Sequence, residues 1–216
     1  MAKRKTIGKK DFQRDEHVYQ LPDEFVELIK DAIRFCNGTP VFPYPIPKFF
    51  GPGVYLIYCV AKTGIYRQFG VANRTEYRIP IYVGKAVPQG WRKGRSSTSS
   101  NTSVLWSRMN EHRLNIEKCD KLSIEDFACR FVIMENDASD LIGALESALI
   151  REYNPLWNTL VDGFGNHTPG KGRWDQAKSE WDVIHPGRAW AEKCRGKATS
   201  KRTVMARVKK YMDGLA

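Results

Sequence analysis

The chain has 216 residues, with 35 Lys and Arg against 24 Asp and Glu and a net charge of +11. That length holds one domain with a full core, or one domain and a small lobe, and the charge would attract a polyanion in a salt-sensitive way. Cys36, Cys59, Cys119, Cys129 and Cys194 form no CxxC pair and have no nearby histidine set, which argues against a zinc site and a disulfide scaffold; with no secretory segment and no long apolar run, the expectation is a reduced, cytoplasmic protein with no membrane partner.

Residues 1–22 are rich in Lys and Arg, almost without apolar pattern, and read as a basic N-terminal arm. Pro22-Asp23-Glu24 opens the amphipathic run FVELIKDAIRFC, which Asn37-Gly38 should stop, giving a helix over 23–36. A Pro-rich loop, TPVFPYPIPKFFGPG, leads to GVYLIYCV, a run of mostly apolar residues that predicts a buried strand bearing Tyr55. A long hairpin with Gly64-Ile65-Tyr66 at its polar tip connects it to a second strand at IYVGKA, which carries Tyr82 and Lys85.

The segment from Ala86 to Ser107 includes Arg92, Lys93 and Arg95 and no acidic residue. Its hydroxyls and cations suit phosphate contacts, so a loop over 86–107 ordered by DNA is favoured over a plain Ser-Thr linker. A helix from Val104 to about Ile116 follows, then a short helix near Ser123, a third strand at FACRFVIME, and a helix over 140–153 that bears Glu146 above a stripe of Leu141, Leu145, Ala148 and Leu149. Beyond 160, Trp174, Trp181 and Trp190 alternate with Lys171, Arg173 and Arg188. That pattern fits a surface reading guanine in the major groove, and equally a lobe pinned by its tryptophans with the charges outside. The resulting divisions are the arm at 1–22, a core at 23–160, and an extension of the same domain at 161–216 that serves DNA recognition or supports a dimer.

Hydrolysing a phosphodiester requires a deprotonated water, neutralisation of the charge on the pentavalent phosphorus and a stabilised leaving oxygen. Arg108 and His112 in RMNEH are four apart, so a helix puts them on one face, within reach of one phosphate. Glu146 in an Ala-Leu-rich run needs either water or a partner. Tyr55 and Tyr82 taken alone are ordinary strand residues, and Asn158 alone is a turn residue.

In order and in company, GVYLIY, IYVGKA, RMNEH and ALESALIREYNPLWN resemble the motifs of the GIY-YIG nucleases over 53–160. The resemblance implies an α+β fold, a small antiparallel three-stranded sheet flanked by helices, and catalytic roles for Tyr55, Tyr82, Lys85, Arg108, His112, Glu146 and Asn158. It implies one Mg²⁺ per site, replaceable by Mn²⁺, held by Glu146 with water and phosphate oxygens. Arg108 would contact the scissile phosphate, Tyr82 would bond near it, and Asn158 would support the site. Tyr55 would activate or orient the water, aided by His112 or Lys85, once nearby positive charge brings its phenol down from about 10. A literal Gly64-Ile65-Tyr66 competes for the first motif, and the apolar strand around Tyr55 decides for Tyr55.

The extra sequence is woven into and just after these motifs, without a linker to a separate DNA-binding region. That compactness resembles the type II restriction endonucleases of the family, especially those cutting the palindrome CCGCGG. A homodimer on double-stranded DNA follows from the two-fold symmetry of such a site. Arg92, Lys93, Arg95, Lys171, Arg173 and Arg188 are the expected DNA contacts. The alternatives are a homing or repair nuclease of the same family and a non-catalytic DNA-binding protein, which leaves the ordered company of Glu146 and Arg108 unexplained. A small-molecule phosphate enzyme would show a glycine-rich loop after a strand, which Gly170-Lys171-Gly172 lacks.

Overall fold

Every residue of Gly53–Cys59 is buried, as an apolar strand must be when both of its faces are covered. The computed structural model describes residues 13–91, 101–170 and 172–215. In chain order the elements are α1 (Asp23–Gly38), β1 (Phe42–Pro43), β2 (Gly53–Cys59), α2 (Arg67–Ala72), β3 (Pro80–Ala86), α3 (Val104–Glu117), β4 (Phe127–Ile133), α4 (Ile142–Tyr153), α5 (Leu156–Thr159), α6 (Glu180–Ile184) and α7 (Lys201–Asp213). All strand pairs are antiparallel and the sheet order is β1-β4-β2-β3. The α+β class holds, with one correction: the sheet has four strands, because the Pro-rich loop contributes the two-residue β1 at an edge. A two-residue strand is too short for alternation to reveal it, and an edge tolerates Pro43.

Alternation along β2 divides the core. Val54, Leu56 and Tyr58 pack with Val83, Ile142, Leu145 and Leu149 beneath α4, where Cys36 of α1 joins them. Tyr55, Ile57 and Cys59 face a larger core built by Leu105 and Met109 of α3, Trp157 of α5, Phe164, Trp181 of α6, and Val204 and Val208 of α7. The segment after 160 therefore packs into the same core as the Tyr55 strand.

Asp23 and Glu24 in the first turn of α1 suit the positive end of its dipole, and the helix runs through Gly38, two residues past the expected stop. The β2 to β3 connection is more than a hairpin, since it turns at Gly64 (φ +77°) and then forms α2. Buried Asn73 pins its two ends: Nδ2 donates to the carbonyls of Cys59 and Ile79, and Oδ1 accepts from the amides of Arg78 and Ile79. The connection thus fixes which residues of β2 and β3 face each other. Among the described residues no helix is long and apolar enough to cross a membrane.

Candidate active site

The β2–β3 register places Tyr55 opposite Gly84 and Ile57 opposite Tyr82, so both tyrosines lie on the α3 side of the sheet. A β-carbon at Gly84 would run into the Tyr55 ring and hydroxyl, which explains why the second motif carries glycine there. The Tyr55 hydroxyl is hydrogen-bonded to Nε2 of His112 at 2.6 Å, with both side chains fully buried. Phe164 stacks on the imidazole at a centroid distance of 4.4 Å, and Tyr82 meets it edge-on at 5.2 Å.

One helical turn before His112, Arg108 reaches the surface of a cleft of about 440 Å³ whose lining includes Lys85, Ser107, Glu111 and His167. Its Nη2 donates to the Gly165 carbonyl at 2.5 Å; its Nη1 donates to Glu111 at 2.8 Å and to Nδ1 of His167 at 3.3 Å. On the opposite face of β3, Lys85 forms an ion pair with Glu146 of α4. The site therefore straddles β3, an edge strand open on one side. Asn158 holds that strand: Nδ2 donates to the Val83 carbonyl and Oδ1 accepts from the Val83 amide, both at 2.8 Å. Pro155 and the left-handed Asn154 (φ +44°) end α4 and turn the chain so that α5 presents Asn158 to β3.

Burial pushes the Tyr55 phenol well above its usual value, Tyr82 adds to the rise, and Arg108 opposes it. The expectation of a phenol lowered by nearby cations is therefore corrected, because loss of water around the ring outweighs the single guanidinium. The Tyr82 phenol is raised by burial in the same way. His112 is pushed well below the ordinary histidine range by burial, then by Arg108, Arg188 and His167. Both members of the Tyr55–His112 pair are thus neutral near pH 7.

Tyr66, the competing first-motif tyrosine, lies outside the sheet as the residue before α2. It bonds to Nε2 of His185 at 2.6 Å and accepts from Trp157 at 3.0 Å, inside the core. A family model described as the Eco29kI GIY-YIG domain matches residues 47–212.

The chain belongs to this family.

It is therefore a GIY-YIG nuclease of the type II restriction endonuclease branch, acting on DNA. The match extends beyond the motifs at 53–160 to take in α6 and α7, in keeping with the core they share with Tyr55. No curated protein matches the chain.

The GIY-YIG residues named from the sequence come together: Tyr55, Tyr82, Arg108 and His112 on one face of the sheet, Lys85 and Glu146 on the other, and Asn158 behind β3. Among the expected DNA contacts, Arg173 is exposed, and Arg92, Lys93, Arg95 and Lys171 lie outside the described residues. Arg188 is corrected. It is 1 % exposed and bonded to Asp182 through Nε at 2.6 Å and Nη2 at 2.7 Å, so it has no surface to offer DNA. Sequence reasoning missed Phe164, Gly165 and the partnership of Arg188 with Asp182, and gave no role to His167. The available signal was an Asp and an Arg among tryptophans, a setting in which a buried pair is as natural as a surface one.

Proposed function

We propose that the chain cuts both strands of a GC-rich palindrome, CCGCGG, by hydrolysis that uses one Mg²⁺, with Mn²⁺ able to replace it, held by Glu146. The observation that carries this reading is the arrangement across β3, with the neutral Tyr55–His112 pair behind Arg108 on one side and the Lys85–Glu146 pair on the other. Among the described residues no three His, Cys, Asp or Glu gather as a metal cage. A single, largely buried carboxylate, with water and phosphate oxygens completing the shell, fits magnesium, which keeps much of its hydration. When bound, the ion supplies charge neutralisation and a more acidic water.

Arg108 contacts the scissile phosphate with a planar fork already oriented by Gly165 and Glu111. The attacking water gives its proton to the Tyr55 oxygen while the phenol proton passes to Nε2 of His112. The pair gains one positive charge as the phosphoryl group gains one negative. A neutral histidine makes a phenol of high pKa usable in this way, because no phenolate has to exist beforehand. Tyr82 bonds near the phosphate, Lys85 balances the Glu146 carboxylate in the free protein, and Asn158 keeps β3 in place. Arg92, Lys93, Arg95, Lys171 and Arg173 contact DNA, and two copies related by the two-fold axis of the site act together in the cytoplasm.

The test is cleavage of plasmid DNA with Mg²⁺ or EDTA by the native protein and by Glu146→Gln, with sequencing of the fragment ends and light scattering of the protein on DNA. Metal-dependent fragments ending at CCGCGG from the native dimer alone are expected. Binding without cleavage by both proteins would remove the catalytic reading; ends at another sequence would remove the palindrome, and a monomer on DNA the dimer.

A further inference from the structure

Gly163 to His167 forms a strap across the site without regular secondary structure. Its Phe164 ring covers His112, its Gly165 carbonyl accepts from Nη2 of Arg108, and its His167 accepts from Nη1. Three strap carbonyls turn the other way, toward Arg188. Gly163 accepts from Nη2 at 2.8 Å, and Phe164 and Asn166 accept from Nη1 at 3.2 and 3.3 Å.

With Nε and Nη2 also donating to Asp182, every nitrogen of the buried guanidinium is engaged. Its plane is packed by Trp181 and Trp190, at 4.6 and 4.7 Å to the ring centroids. Asp182 is fixed in turn by Ser179, which caps α6 and donates to Oδ2 at 2.6 Å. A buried ion pair is weak evidence for stability, because a well-packed apolar pair of similar volume often serves as well or better. Apolar side chains could not gather three carbonyls of one short segment, whereas a fork of N–H donors does so with defined directions.

We infer that Arg188 and Asp182 are positioning residues for the cleavage reaction: they hold the Gly163–His167 strap so that Gly165 and His167 aim the Arg108 guanidinium into the cleft and Phe164 keeps water off His112. This rests on the reading that Arg108 contacts the scissile phosphate. The chain of contact is continuous, from Asp182 through Arg188 and the strap to Arg108.

The test compares Arg188→Lys, Gly163→Ala, Arg108→Ala, and each of the first two combined with Arg108→Ala. Gly163→Ala reaches the strap without touching the reacting groups, since φ there is +102° and a β-carbon would press on Ser179. Single-turnover cutting is measured on a plasmid that the native protein cuts, with saturating Mg²⁺, and affinity for the same DNA is measured in EDTA. Misaimed groups slow chemistry, so Arg188→Lys and Gly163→Ala should cut roughly ten- to a hundredfold more slowly. Their DNA affinity should stay within about twofold of native, and in the Arg108→Ala background they should add less than about twofold.

Native cutting rates in the folded variants, losses that multiply with that of Arg108→Ala, or a loss confined to DNA affinity would overturn the inference. Should Arg188→Lys fail to fold, Gly163→Ala alone decides. If Arg108→Ala itself cuts at the native rate, the reading of the site fails and the inference falls with it; slow cutting by Arg108→Ala beside native cutting by the strap variants overturns the inference alone.

Discussion

Burial lowers the proton affinity of His112 and raises that of Tyr55, leaving two neutral groups joined by a hydrogen bond. The pH dependence of the single-turnover rate should reflect this. A histidine with an ordinary pKa would give an acid limb near 6.5, whereas the rate here should stay level from about pH 6 to about pH 9. An acid limb at the ordinary histidine position that disappears in His112→Ala would contradict the assignment. Tyr55→Phe keeps the ring packing and removes the proton path, and should lose on the order of a hundredfold or more at saturating metal. These groups were legible in the sequence because each sits in its own short string at a spacing tied to one element, such as the four-residue step from Arg108 to His112. Arg188 was misplaced for the opposite reason: besides Asp182, six residues earlier, its partners are carbonyls of a segment more than twenty residues earlier, and no local pattern records those.

At the scale of elements, the decisive one is β3, an edge strand whose residues serve the site from both faces. Asn158 bonds to both backbone groups of Val83, between Tyr82 and Gly84. Asn158→Ala leaves that amide and carbonyl without their partner, and should lower unfolding stability by about 1–3 kcal/mol, read from the denaturant midpoint. Cutting should slow as well, because Tyr82 is no longer held. Asn158→Asp should restore little, since a carboxylate accepts from the amide but cannot donate to the carbonyl. The strands β2, β3 and β4 were legible as apolar runs bounded by turns, and α1, α3 and α4 as periodic segments. The strand β1 was not, being two residues held by pairing with β4 rather than by any pattern of its own. The helix α2 was hidden because it is only six residues long and the Asn73 side chain that closes its loop bonds to backbone groups at Cys59, Arg78 and Ile79, a network that leaves no periodic pattern.

Over the whole molecule, two histidines sit in the core as neutral groups. His185 is pushed down to about 3 by burial, then by Lys201 and Arg188, and His112 is lowered in the same direction. The unfolded chain takes up protons at these positions below about pH 6.5 and the folded chain does not, so stability is lost as pH falls from there. For His185 the loss continues to about pH 3. Each histidine contributes about 1.4 kcal/mol per pH unit inside its window. Denaturant unfolding at about pH 7 and about pH 5 should show the native protein weakened at the lower pH, with a shallower dependence in His185→Gln. A stability that rises on acidification would contradict the placement of both side chains.

The same continuity of core explains why the sequence left the function of the last fifty-odd residues open. Trp181 and Phe164 build the wall behind the Tyr55–His112 pair, while the arginines of the same segment divide between buried Arg188 and exposed Arg173. The reading of a lobe pinned by its tryptophans describes Trp181, with Arg188 inside the lobe rather than outside it, while the exposed Arg173 leaves guanine contact to the DNA experiments.

The Lys85–Glu146 pair has a consequence for the order of assembly on DNA. With Glu146 as the metal ligand, a cation from solution must compete with an ammonium tethered beside the carboxylate, while a DNA phosphate offers that ammonium another anion. Each ligand then eases the entry of the other by the same factor, as thermodynamic linkage requires. On that reading, arming of the cleft would be tied to the arrival of its substrate, and a metal ion without DNA would meet a carboxylate already paired with Lys85.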